Sequence, residues 1–212
     1  ICIRMMNRKK IRNLFSFTIC LICLAELLLI LSSWLISSAF PDSSVRSLLG
    51  SEGVRWLLGH SAVSLRRSSL VWLLLAAISY GVYTRSGINR CITDLLKSRK
   101  LHYRGRLSLF LAGTELLFAV IVMLLLTCVP HAILLSVSGD LFPSSFSQSI
   151  VPMACMLLLL IGTTSGIVLG TFKSALQWTD AMIYGLRKFS PVILLYIFGI
   201  QLVCTIHFVF FM

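Results

Sequence analysis

Residues 14–36 read LFSFTICLICLAELLLILSSWLI, with Glu26 the one charged side chain among them. The hydrocarbon core of a bilayer is about 30 Å thick and takes about 20 apolar residues of helix to cross, because lipid offers the backbone no hydrogen-bond partner and a helix satisfies its own. The stretch is long enough to span. A secretory signal is the competing reading, but the apolar region is too long for one and no small-residue cleavage site follows Trp34. Four further stretches qualify: Ser68 to Thr84, Leu107 to Leu135, Ile150 to Phe172 and Pro191 to Met212. Ser68 to Thr84 is at the short end and Leu107 to Leu135 is long enough to tilt. The sequence therefore predicts one all-α domain, a polytopic membrane helix bundle of about five spans. Composition agrees, with 58% hydrophobic and 12% charged residues in 212. Ordinary soluble domains carry about twice that share of charge.

Net charge is +12, and the placement of the cations says why. Five Lys and Arg precede the first span, and four, seven, none and three follow in the successive loops, so fifteen of nineteen lie on one side. Cytoplasmic loops hold the excess of Lys and Arg. This predicts a multi-pass protein of the cell inner membrane with its N-terminus in the cytoplasm and its C-terminus outside. Arg66 and Arg67 at the outer edge of the second span fit the rule poorly, and a re-entrant second segment remains an alternative. Ser51 to Leu58 reads as a short outer-surface helix with Ser51 as cap and Trp56 at the interface. Residues 86–101 place Ile88, Ile92, Leu95 and Leu96 at helical spacing opposite Arg90, Lys97, Arg99 and Lys100. That pattern predicts an amphipathic helix on the anionic inner leaflet. A nucleic-acid partner is not expected, since aromatic residues do not interleave the cations.

Ionisable side chains inside a bilayer are costly and mark ion or substrate paths. Glu26 and Glu115 are the candidates, although a later start of the third span would leave Glu115 at the inner headgroups. In the fourth span Gly162, Gly166 and Gly170 recur every four residues with Thr163, Thr164 and Ser165 between them. Small residues at that spacing let helices approach closely. The alternative is a glycine-weakened helix that kinks and lines a substrate path with its hydroxyls. Cys20 and Cys23 lie mid-span and read as packing residues, and no disulfide is expected. The four histidines have no ligand spacing, so neither a metal nor a cofactor is expected, and without a catalytic motif the chain does not read as an enzyme.

Two blocks resemble the aminobenzoyl-glutamate transporter family. The first is Ser47-Leu-Leu-Gly-Ser-Glu-Gly-Val-Arg-Trp-Leu-Leu58 with Tyr80-Gly-Val-Tyr-Thr-Arg-Ser-Gly-Ile88. The second is Phe142-Pro-Ser-Ser-Phe, Ile150-Val-Pro152, the run from Gly162 to Gly170-Thr-Phe-Lys-Ser174, Asp180-Ala-Met182 and Gln201. Family members are longer and hold substrate and ions in two helical hairpins that have no counterpart here, and Thr84 and Arg85 stand where the family has an acidic residue before S-G. The resemblance implies a shortened member related to secondary transporters, moving a small anionic aromatic-glutamate-like solute; because five spans are few for alternating access, such activity would call for a homo-oligomer. The rival reading is a non-transporting membrane scaffold or interaction subunit derived from the same family.

Overall fold

A computed structural model describes residues 2–40, 45–65, 68–97, 102–128 and 145–211. Among them the only regular elements are seven helices: α1 (Cys2–Ala39), α2 (Ser51–Leu65), α3 (Ser68–Ser86), α4 (Ile88–Leu96), α5 (Tyr103–Cys128), α6 (Ser145–Leu169) and α7 (Ala175–Phe211). Four contain stretches long and apolar enough to cross a membrane: Asn13–Ala39, Tyr103–Leu125, Ser149–Leu169 and Ala175–Phe211. The outer surface agrees. Leu21, Leu24, Leu28, Leu31 and Leu35 of α1 are all exposed, a contiguous apolar face that water would not tolerate and lipid would.

The structure redraws the expected segments in three places. The second expected span is helical as α3, but it is not among the four long apolar stretches. Its second half carries Ser79, Tyr80, Tyr83, Thr84 and Arg85, and Ala77, Ser79, Gly81, Val82 and Ser86 are buried against protein. The loop expected between Phe172 and Pro191 is mostly helix, because α7 starts at Ala175 and runs on through Pro191. Arg187 and Lys188 gave that stretch a loop's charge, yet Lys188 lies over the ring of Tyr80 at 4.3 Å, its stem along the protein and its head on an aromatic face. Pro191 costs the helix one backbone bond, and α7 continues through it into the apolar run that begins at Val192. Finally, α4 is shorter than the expected amphipathic segment. Gly87, at a φ of +87°, separates it from α3, and residues 98–101, including Arg99 and Lys100, lie outside the described residues. Arg66, Arg67, His131, the end of the third span beyond Cys128 and the Phe142-Pro143-Ser144 motif lie outside them too.

The chain divides into two compact units, Ile1–Val71 with Phe189–Met212, and Trp72–Lys188. In the first, the loop before α2 is tied down by its backbone: Arg46 N–H donates to Val209 O at 3.2 Å and Leu48 N–H to Ser33 Oγ at 3.3 Å. Leu48, Phe208 and Val209 form a small buried core with Leu29, Ile30, Val45 and Trp56 packed on it. Trp56 stacks on Phe208, ring centres 4.4 Å apart. Glu52, in the first turn of α2, accepts from Arg46 at 3.0 Å, an exposed pair of the kind worth under about 1 kcal/mol.

The second unit is built on a backbone-to-backbone crossing of α3 and α7. A Cβ on Gly81 would stand 2.3 Å from Ala181 O and 2.8 Å from Gly185 Cα; one on Gly185 would stand 2.0 Å from Ala77 O. Only glycine fits at either position. In a membrane, where burying apolar surface gains little because lipid is apolar too, close packing and its dispersion contacts hold helices together. Elsewhere in this unit α5 packs on α6, and α4 on both.

Candidate functional site

The clustered small residues of α6 divide their work. Gly162 faces α3, where an added Cβ would meet Tyr83 N at 3.1 Å. Gly166 underlies the Phe172 ring, which would be 2.2 Å from such an atom. Gly170 ends the helix: at φ +73° it occupies the left-handed region, its N–H donates to Ile167 O at 3.0 Å, and Thr171 N–H donates to Gly166 O at 2.9 Å. This pair of bonds is the Schellman arrangement that satisfies orphan carbonyls at a helix end. We expect Gly170→Val to cost about 1–2 kcal/mol of stability through the left-handed backbone alone, read as a lower midpoint of thermal unfolding in detergent. An unchanged midpoint would show that the turn relaxes freely.

The hydroxyls between the glycines point to different neighbours. Thr163 Oγ1 accepts from Trp178 Nε1 of α7 at 3.2 Å while donating to Leu159 O at 2.7 Å. Thr164 Oγ1 reaches Glu115 Oε2 on α5 at 3.2 Å. Ser165 is fully buried, and its Oγ has no protein partner among the described residues. The structure thus brings Glu115 and Thr164 together across the α5–α6 interface. The helix is formed from Tyr103 onward, so Glu115 lies near the middle of α5, inside the apolar stretch rather than at its edge. Glu26 is half-buried on α1, in the other unit.

At the end of this unit where α6 stops, two sequence blocks meet. Thr171 Oγ1 contacts Ser86 O at 2.9 Å, alongside its 2.9 Å contact with Gly166 O. Ser86 Oγ in turn donates to Tyr83 O at 2.8 Å and accepts from Ile88 N–H at 3.4 Å, bridging the elbow between α3 and α4. Phe172 separates two clefts. One, of about 290 Å³, is lined by Thr163, Ile167, Lys173, Ser174 and Trp178. The other, of about 260 Å³, is lined by Arg85, Thr171, Gln177, Asp180 and Ala181. The Gln177 side chain folds back to accept from Lys173 N–H at 2.7 Å, and Arg85 lies over the Tyr184 ring at 4.5 Å. A cationic side chain beside part-enclosed space can hold an anion; Lys173 stands at the more apolar cleft, and Arg85 shares the more polar one with the Asp180 carboxylate.

Sequence reading missed the α3–α7 crossing, although Ala77-x-x-x-Gly81 and Ala181-x-x-x-Gly185 both carry the small-residue spacing. The second pair sat in a segment read as loop. Asp180, read as a loop charge, is on α7 and lines a cleft. On α4, burial pushes the Cys91 thiol above its ordinary range, and the nearby Asp94 carboxylate pushes it the same way. The thiolate is the nucleophile, so a raised thiol is less reactive near neutral pH. We expect Cys91 to take up a maleimide a few-fold more slowly than an unperturbed thiol, with the rate climbing only in alkaline buffer and Asp94→Asn speeding it. Peptide mass spectrometry resolves it from the other cysteines; labelling at the unperturbed rate would contradict the environment described.

Four long apolar helices and a packed, largely apolar bundle define a multi-pass membrane protein. The model of the AbgT putative transporter family matches residues 89–209, more than half of the chain, and the chain belongs to that family. The match covers the second of the two resembling blocks and leaves the first N-terminal to it. No curated protein and no solved structure matches the chain.

Proposed function

We propose that this chain works in secondary transport, moving a small anionic solute of the aromatic-glutamate type across the cell inner membrane, with its N-terminus in the cytoplasm and more than one copy in the working assembly. The supporting observation is the contact of Thr164 with Glu115 across α5 and α6, a polar pair inside two apolar helices within the family-matched region. Intramembrane carboxylates with a hydroxyl partner are costly ornaments for a scaffold and useful ones for ion coupling. Lys173, on a cleft with no carboxylate in its lining, supplies the charge an anion needs, while Arg85 faces its cleft together with Asp180. In this reading Thr164 lines the path with Glu115, Thr163 opens on the cleft beside Lys173, Ser165 is the buried hydroxyl between the two faces, and Glu26 is a second acidic group on α1.

Purified protein in liposomes tests the reading. Uptake of aminobenzoyl-glutamate driven by a proton or sodium gradient, above that of empty vesicles, is the expected result. Absence of gradient-dependent flux in protein that is folded and monodisperse removes the transport claim and leaves the scaffold reading. Orientation is read separately, from a cysteine introduced at Lys97: an impermeant reagent is expected to label it beyond the native background only after the cytoplasmic side is opened, and labelling of intact cells would reverse the topology.

A further inference from the structure

We propose that α4 and the start of α5 form a docking surface for the anionic phospholipid headgroups of one leaflet. The apolar stripe of α4 begins inside the protein, with Ile88 buried and Cys91 and Ile92 half-buried. It then runs out of protein: Leu95 is 56% exposed and Leu96 78%. Tyr103, at the first turn of α5, is 75% exposed. Around these apolar groups stand Arg90, Lys97, Arg104 and Arg106, all exposed, with Asp94 the one acidic side chain among the described residues 88–106.

Two placements say what covers this surface. The apolar run of α5 begins at Leu107, directly after Arg104 and Arg106, which sets Tyr103 and the first turn of that helix beside the boundary between hydrocarbon and water. Because α4 packs on both α5 and α6, it lies at that same level, and Arg104 comes close to Gly170, at the end of the α6 apolar stretch. A short helix at headgroup depth, presenting leucines and a tyrosine amid four cations, matches a layer whose inner part is acyl chain and whose outer part is phosphate. A soluble anion would need the cations alone and would leave Leu95 and Leu96 without a role.

Native mass spectrometry of the full-length protein, released from micelles containing equal phosphatidylglycerol and phosphatidylcholine, tests the proposal. The wild type is expected to retain phosphatidylglycerol over phosphatidylcholine by about tenfold, from charges that each favour an anionic surface. Replacing Arg90, Lys97, Arg104 and Arg106 together by Gln should abolish that preference, and the Arg→Lys version at 90, 104 and 106 should keep it. Leu95→Ser with Leu96→Ser should weaken retention of both lipids while leaving the preference for phosphatidylglycerol in place. Equal retention of the two lipids by the wild type overturns the proposal, whatever the variants do. So does displacement of phosphatidylglycerol by inorganic phosphate, which would mark a soluble-anion site. None of these outcomes depends on solute transport.

Discussion

Replacing Gly185 with alanine is expected to destabilise the protein by about 3 kcal/mol or more, the upper end of what overpacking costs. The new methyl would meet Ala77 O at 2.0 Å, with Gly81 N and Cα at 2.9 Å. Every one of those atoms is backbone. No rotamer change relieves the clash, so α3 and α7 must part, and contacts along the whole crossing weaken together. Gly81→Ala should behave alike, since its methyl would meet Ala181 O at 2.3 Å. Gly199, on the same helix α7, gives the control, because nothing lies within 4 Å of its added Cβ. There alanine should be neutral or stabilising by up to about 1 kcal/mol, the usual gain from removing glycine inside a helix. Unfolding in micelles of rising dodecyl sulfate fraction separates the three variants; if Gly185→Ala and Gly199→Ala unfold together, the close crossing is not present in the protein.

For Glu115→Gln the expected loss is in flux rather than in fold. Glutamine keeps the shape of the side chain and an oxygen that can accept from Thr164, so the α5–α6 contact at 3.2 Å survives. It cannot take up and release a proton, nor balance a cation. Gradient-driven uptake in liposomes should drop by about a hundredfold, the low end of what a positioned proton-transfer group contributes elsewhere. Stability supplies the contrast. Thr164→Val alone strips a donor from the carboxylate and should cost about 1–3 kcal/mol, whereas Glu115→Leu combined with Thr164→Val removes both partners and should cost little or nothing. A double variant that is as stable as the parent and does not transport would locate the value of the pair in function. Undiminished uptake by Glu115→Gln would remove Glu115 from the path.

The apolar helices within the expected segments 14–36, 107–135 and 150–172 were legible because a lipid-facing helix advertises itself by composition alone. What composition hides is a helix that packs on protein. The second half of α3 and the first half of α7 bury glycine and alanine against each other, and such residues carry little hydropathy signal. Their charged neighbours Arg85, Arg187 and Lys188 then make both segments look like membrane edges. Pairing across helices was hidden for another reason. Thr164 and Glu115 each stood out in the sequence, but no local pattern relates two residues on different helices. The glycine repeat in α6 shows the converse error, since one spacing covered a helix contact at Gly162, an aromatic seat at Gly166 and a stop at Gly170.

The hydroxyl of Thr171 has one hydrogen and two carbonyls within reach, Gly166 O and Ser86 O, each 2.9 Å away. Two helix termini far apart in the chain are thereby stitched by a single proton that must be divided between them. Serine in place of the threonine keeps the seam; valine, although the same shape, loses the link to Ser86 O and leaves the α6 terminus to its backbone donors alone.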